Sequence, residues 1–342
     1  MTIIIAVDAM GGDHGPPVTV PASLAFLEET PGASVVLVGR AEAIEPVLAK
    51  SRSPARNRVR IHPASEVVEM DDAPADALRR KKDSSMRVAI NLVRDGQAQA
   101  CVSAGNTGAL LATARFVLGM IPGIDRPAIV SAMPAAHGHT VMLDLGANPD
   151  CSADHLVQFA VMGSVIAADL HGTERPRVGL LNIGEEDIKG TEEIREAHRR
   201  LATAPVNYVG FVEGTDVFSG DVDVVVTDGF TGNVALKCME GLARFIGTVM
   251  REEFTRSAVR KAGALAASPA LNALKRRMDP GAHNGASMVG LQGVVIKSHG
   301  GANRAAFANA VRVAIEEARK GVPAQIAAHM AKLESAAGEA TR

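Results

Sequence analysis

Apolar residues along this chain fall in short continuous runs, not in alternation. The clearest are Ile3–Val7, Ser34–Val38, Val59–His62, Ala98–Ser103, Ala128–Ala132, Thr140–Asp144, Arg177–Ile183, Asp223–Thr227 and Gly293–Lys297. Strands buried on both faces read this way, which points to a parallel α/β sheet. Helical patterns lie between the runs, for example over Ser85–Asp95 and Gly190–Thr203. The stretch Met239–His283 is long, rich in Ala and Arg, and has no strand pattern, so it reads as an all-helical excursion. The pattern predicts one α/β domain over residues 1–342, with the excursion at 239–283 inside it. No short repeat of the solenoid kind is present.

The chain has 342 residues and a net charge of −2, so attraction to an acidic partner has to come from local patches. Its three cysteines, Cys101, Cys151 and Cys238, lack CxxC spacing, which argues against a disulfide framework or structural zinc. The chain enters a strand at once, and no apolar run reaches roughly 18 residues. This predicts neither a signal peptide nor a membrane span, and a cytoplasmic protein. With no Trp and Tyr208 alone, it lacks the stacking platforms of a nucleic-acid binder.

Strand ends carry a shared punctuation. "VDAMGGDHGP" closes the first run, with Asp8, Gly11, Gly12, Asp13 and His14. "SAGNTGALL" follows Ala98–Ser103, with Gly105, Asn106, Thr107 and Gly108. "NIGEEDIKGTEEI", "TDGFTGNVALK" and "KSHGGAN" follow three later runs, with Lys189; with Thr231, Gly232, Asn233 and Lys237; and with His299. Small residues beside hydroxyls and amides at a helix start aim backbone N–H groups at an anion. In open α/β sheets, ligands bind beyond the carboxyl ends of strands, so five loops are expected to converge on one crevice.

Each loop taken alone is also an ordinary turn, and neither GxGxxG nor GxxxxGK[ST] is matched. A helix terminus contributes only about 0.3–1 kcal/mol toward a charge. A full cation is therefore required, and Lys189 and Lys237 are the candidates. Lys189 also reads as an exposed partner of Glu185, Glu186 and Asp187, and Lys237 as a surface residue. Asp8 and Asp13 are ligand contacts or loop caps, and His14 and His299 contacts or loop donors. No HExxH or His/Cys ligand spacing appears, so no metal or cofactor is expected. Cys151 precedes a helix as a nucleophile would, but no partner His is evident.

Six ordered stretches, "IAVDAMGGDHGP", "ALRRKKDSSM", "SAGNTGAL", "NIGEEDIKG", "DGFTGNVALK" and "GVVIKSHGGAN", closely resemble the PlsX-type phosphate acyltransferases of bacterial phospholipid synthesis. The resemblance runs from about Ile5 to about Asn303. It departs at Gly15, where Ala is commoner, and at Ser287 and Met288, where a Pro-containing apolar stretch is expected. It implies transfer of a long-chain acyl group from acyl carrier protein to inorganic phosphate. The implied fold is a three-layer α/β/α sandwich with a mostly parallel sheet, like isocitrate dehydrogenases and phosphate acetyltransferases, working as a homodimer. The family's catalytic lysine and asparagine fall on Lys189 and Asn233. A short-chain phosphotransacylase for coenzyme A thioesters and a non-enzymatic phosphate-ligand scaffold are the alternatives.

Phosphate is an anion at neutral pH and needs positioning against a thioester carbonyl more than a base. Loop amides, Thr107, Thr231 and Asn233 suit that task. Lys189, with a backbone or Asn106 donor, suits the tetrahedral oxyanion. The basic run Arg79, Arg80, Lys81 and Lys82 is either a solvated face or a docking patch for acidic acyl carrier protein. Arg256–Met278 sets Arg256, Arg260, Lys261, Lys275, Arg276 and Arg277 around Leu265, Leu271 and Leu274, with Pro269 dividing it into two arms. It reads as a helical hairpin against a second subunit, or as a weak peripheral contact with the inner face of the cell membrane.

Overall fold

The predicted runs become β1 (Ile3–Asp8), β2 (Ala33–Gly39), β3 (Val59–Pro63), β4 (Ala100–Ser103), β5 (Ala128–Pro134), β6 (His139–Leu143), β7 (Arg177–Leu181), β9 (Val224–Val226) and β11 (Val294–Lys297). Two further strands, β8 (Asn207–Val212) and β10 (Ala286–Val289), complete the sheet. The computed structural model describes residues 2–278, 281 and 284–340. The helices are α1 (Pro16–Glu29), α2 (Ala41–Lys50), α3 (Pro74–Arg80), α4 (Ser85–Arg94), α5 (Thr107–Leu118), α6 (Ala153–His171), α7 (Glu192–Leu201), α8 (Gly229–Thr255), α9 (Ala258–Ala266), α10 (Ser268–Met278), α11 (Arg304–Lys320) and α12 (Val322–Ala340).

The strands form one sheet in the order β3-β2-β1-β4-β11-β10-β5-β6-β9-β7-β8. Most neighbours are parallel; β10 is antiparallel to both β11 and β5, and β5 to β6. These three reversals turn β6, β9, β7 and β8 opposite to β1, β2, β3, β4 and β11. Read outward from the central β10–β5 pair, β11, β4, β1 and β2 on one side match β6, β9, β7 and β8 on the other. The order thus has an approximate two-fold relation about an axis through the middle of the sheet. Under it, the loop after β4 ("SAGNTG") corresponds to the loop after β9 ("TDGFTGN").

Helices cover both faces, giving three layers. One face packs α1 and α11 on the first half and α6, α7 and α12 on the second. The other packs α4, α5 and the first turns of α8, through Ala235, Leu236 and Met239. By length and composition α6 could cross a membrane over Ala153–Leu170, but 61% of that window is buried. The helix layer is incomplete over the centre, where Ser131 of β5 and Ala286 of β10 remain half-buried.

The helical excursion differs from its predicted bounds. Its first part continues α8, a 27-residue helix that starts at Gly229. Pro269 does stand at a division, in the first turn of α10 just after the end of α9. Residues 279, 280, 282 and 283, and the side chains of Lys275, Arg276 and Arg277, lie outside the described residues.

Candidate active site

Three short loops meet at the carboxyl edge of β1, β4 and β11. Asp8 ends β1 fully buried and accepts from Ser103 Oγ at 2.6 Å and from the amides of Met10 and Gly11 at 3.3 and 3.2 Å. Burial pushes its carboxyl upward, and the Ser103 and Ser85 hydroxyls and the two amides oppose that rise. A Cβ on Gly11 would stand 2.6 Å from the Asp8 carboxylate and 2.8 Å from the Gly105 amide, so only glycine lets the two loops touch. Gly12 has φ +85° and faces the Gly300 carbonyl, which accepts from the Asp13 amide at 3.0 Å. Asp13 and His14 are exposed at the tip of this loop.

Lys297 ends β11 in the same row, opposite Ser103. Its ammonium donates to the carbonyls of Ala104 and Ser298. Burial pulls its pKa down to about 8, Asp13 and Asp8 resist that fall, and Lys237 adds to it. Lys237, exposed on α8, pairs with Glu240 at 3.0 Å. Asn284, buried, donates to Ser298 Oγ and accepts from the His299 amide, fixing the loop after β11.

A related arrangement stands at the end of β6. Asp144 is buried and accepts from the amides of Ile129, Gly146, Ala147 and Asn148 and from Asn148 Nδ2, at 2.7–3.2 Å. Burial raises its carboxyl too, against those donors. A Cβ on Gly232 would meet the Asp144 carbonyl oxygen at 1.9 Å. Asp228 caps α8 by accepting from the Thr231 amide and hydroxyl at 2.8 and 2.7 Å. Asn233, exposed, lies beside Gly146, where an added Cβ would stand 3.4 Å from Asn233 Cβ.

Lys189 belongs to a third loop, after β7, which is on the same edge as the Asp144 turn. Its amide donates to Glu186, and the side chain is half-buried. Beneath it Asn182 is buried with neither amide atom hydrogen-bonded, and Gly190 (φ +87°) sits against it. Such an amide is an available donor and acceptor for whatever enters the loop.

The five loops do not share one edge, contrary to the expectation from sequence. The reversal between β5 and β6 sends the loops bearing Lys189 and Asn233 to the edge opposite Asp8, Gly11, Gly105 and His299. The strands are short, however. Lys297 pairs across β10 with Ala286, whereas Asp144 follows Leu143, which pairs with Val130 opposite Ser287. The two ends are thus two residue rows apart, about 7 Å along the strands, and three strand spacings apart, about 14 Å across.

Several predicted contacts are occupied by the protein itself. Asn106 caps α5 by accepting from the Ala109 amide, and its Nδ2 donates to the carbonyls of Met70 and Asp72. Thr231 is held by Asp228. His299 accepts from the Gly301 amide at 3.1 Å. Gly108 lies under Pro74, and Thr107 is exposed at the start of α5. Within the basic run, Lys81 is taken up by Asp72 and the Val67 carbonyl, and Arg80 pairs with Asp76. Arg79 and Lys82 remain exposed. Burial, with Asp144 nearby, pushes the Cys151 thiol up to about 12, which disfavours the thiolate a nucleophile needs. Sequence reasoning missed Lys297, Asp144 and Asn182. The one signal was a polar residue closing an otherwise apolar strand.

A model of the family described as "Fatty acid synthesis protein" matches residues 3–325. A protein of Methylococcus capsulatus named phosphate acyltransferase is 58% identical over 326 residues, covering 95% of this chain and 96% of that one. One of the same name from Nitrosococcus oceani is 57% identical over 330 residues, covering 96% and 97%. In fold, the chain is similar to a phosphotransacetylase from Streptococcus pyogenes, with TM-score 0.63 at 17% identity, covering 93% and 94% of the two chains.

Proposed function

We propose that this chain, which belongs to the fatty acid synthesis protein family, moves a long-chain acyl group from acyl carrier protein to inorganic phosphate. The observation that carries this reading is the full-length identity to proteins named phosphate acyltransferase. A phosphate oxygen attacks the thioester carbonyl carbon, the C–S bond breaks, and the carrier thiol leaves with a proton. The product is an acyl phosphate, a precursor for phospholipid synthesis. No enzyme nucleophile is needed, which accords with the protonated Cys151 thiol.

Lys189 and Asn233 stand at the edge where acid groups predominate, and a neutral thioester suits that edge better than a free anion. Lys189 stabilises the tetrahedral oxyanion and Asn233 orients the carbonyl. Phosphate approaches from the Asp8 edge, along the half-open centre of the sheet. Arg79 and Lys82 form the docking patch for the acidic carrier protein.

The face of α8 that carries Val234, Leu242, Phe245 and Val249, all exposed, suits a second copy of the chain in a homodimer. Leu265 and Leu274, exposed on α9 and α10, suit a weak contact with the inner face of the cell membrane. Arg256 and Arg260 are partly neutralised there by Glu253, which weakens the basic rim. The decisive assay mixes purified protein with phosphate and matched thioesters of acyl carrier protein or coenzyme A. Acyl phosphate formed from the carrier thioester supports the reading. Turnover of short coenzyme A thioesters alone makes the chain a phosphotransacylase, and no turnover makes it a scaffold.

A further inference from the structure

The loop that carries Lys189, residues 183–190, has little of its own to hold it. Ile183 and Ile188, its two large apolar side chains, are each 81% exposed. Among the described residues its internal backbone bond runs from the Lys189 amide to the Glu186 carbonyl, at 2.9 Å. A loop with so few anchors would leave the lysine unaimed, and a misplacement of about 1 Å at a reacting group costs on the order of 10²-fold in rate.

Helix α7 supplies the missing contacts. Arg195 Nη1 donates to the Gly190 carbonyl at 2.8 Å and, more loosely, to the Ile188 carbonyl at 3.4 Å. These carbonyls stand one residue after Lys189 and one before it, so a single nitrogen grips the chain on both sides of the lysine. Glu185, Glu186 and Asp187 are exposed on the same loop, yet among the described residues Arg195 joins no ion pair; those of α7 belong to Glu196, His198, Arg199 and Arg200. One turn on, His198 Nε2 stands 3.7 Å from the Asp187 carboxylate. Its Nδ1 meets Tyr208 Oη at 2.7 Å, and its ring stacks on Phe211 with centroids 4.3 Å apart. Arg195 and His198 are three residues apart, on one face of the helix. Behind the loop, Gly190 presses on buried Asn182, where a Cβ would stand 2.5 Å from Oδ1.

We infer that Arg195 is a positioning residue for Lys189: it holds the carbonyls on either side of the lysine and so aims the ammonium at the thioester carbonyl. His198 is the lesser hold, through Asp187. Neither residue touches the reacting atoms. The role given to Lys189 rests on the acyl-transfer reading, whereas the clamp on its loop does not. A guanidinium suits the task, because it stays charged and donates to carbonyls without any change of proton.

The test uses the full chain with phosphate and the carrier-protein thioester. Arg195→Ala is expected to lower kcat about 10–100-fold, with both KM values and the urea midpoint near wild type. Millimolar guanidinium restores part of that kcat and restores none to Lys189→Ala. Hydrogen exchange gives a readout apart from turnover: peptides covering 183–191 exchange at least several-fold faster in Arg195→Ala, and the rest of the sheet does not change. His198→Phe, which keeps the stack on Phe211 and loses both ring nitrogens, shifts kcat and exchange the same way by less. Unchanged loop exchange in Arg195→Ala overturns the clamp. A kcat within about three-fold of wild type, where Lys189→Ala is inactive, overturns the positioning role. So does a lowered urea midpoint without guanidinium rescue, which makes Arg195 a residue of the fold. Lys189→Ala with wild-type kcat, beside fast loop exchange in Arg195→Ala, removes the acyl-transfer role of Lys189 while the clamp stands, so the two failures are told apart.

Discussion

The turn after β1 and the turn after β6 use the same device for different ends. In each, a buried aspartate at the strand end gathers the amides of the turn that follows, and a glycine presses on it with no room for a Cβ. The surroundings differ. The Asp8 turn adjoins Lys297 and a helix capped by neutral Asn106. The Asp144 turn adjoins a helix capped by Asp228 and has no buried lysine among its described neighbours. Backbone hydrogen bonds hold both turns, and their charged neighbours differ: Lys297 with Asp8 and Asp13 at the first, Asp144 and Asp228 at the second.

The sharpest way to break this comparison is to add a methyl group. Gly232→Ala forces a Cβ to within 1.9 Å of a backbone oxygen, while Gly11→Ala meets its nearest backbone atom, the Gly105 amide, at 2.8 Å. Overpacking of this kind costs about 1–3 kcal/mol and sometimes more. Gly232→Ala is expected beyond that range and Gly11→Ala within it, by urea unfolding. Equal midpoints would mean the Asp144 turn yields as easily as the other.

Lys189→Ala tests chemistry at the second edge. Loss of one oxyanion donor lowers kcat roughly 10²–10³-fold. The urea midpoint is expected to be unchanged, since Lys189 joins no ion pair among the described residues. Activity within three-fold of wild type would remove Lys189 from the mechanism.

Glu317 of α11, half-buried, gives the baseline for an acid held without backbone amides. It has one donor, Ser287 Oγ at 2.8 Å, and burial carries its pKa up to about 7. A folded-state pKa raised above the unfolded value means that the folded protein holds a proton the unfolded chain has released. Stability is therefore lost as pH rises from near 4.5 through about 7. Each pKa unit corresponds to about 1.36 kcal/mol, so Glu317→Gln is expected to gain on the order of 2–3 kcal/mol above pH 7 and almost nothing at pH 4. A variant no more stable than wild type at pH 8 would show that Ser287 already satisfies the carboxylate.

The smallest effect concerns docking. Reversing Arg79 and Lys82 to Glu should raise KM for the carrier-protein thioester several-fold at low salt and leave coenzyme A thioesters unaffected. Equal loss on both substrates would make the patch part of the fold.

Much of this architecture was legible in the chain. Continuous Val/Ile runs marked nine strands, because a strand buried on both faces has no polar side to alternate with. β8 escaped notice because only its last two residues, Phe211 and Val212, are buried, with Val209 exposed and Gly210 in its middle at the sheet edge. β10 escaped because Ala286-Ser287-Met288-Val289 is short and carries Ser287, which is turned to Glu317. The glycine loops were legible as places of close approach. Which side chains they would leave free was not: Asn106, Thr231 and Lys81 are consumed by partners that lie elsewhere in the fold or at cap positions.

The sequence by itself determined the places of nine of the eleven described strands, which turns demand glycine, and which family the chain resembles, since all of these follow from local pattern or from ordered motifs. Only the tertiary structure decided which loops meet. Strand direction is set by the crossings through β10 and β5, and no local pattern records that β6, β9 and β7 run against β1, β4 and β11. Burial is likewise a property of neighbours. Lys297 reads as an ordinary strand-end lysine until β4 and its loop close around it and leave its ammonium on backbone carbonyls.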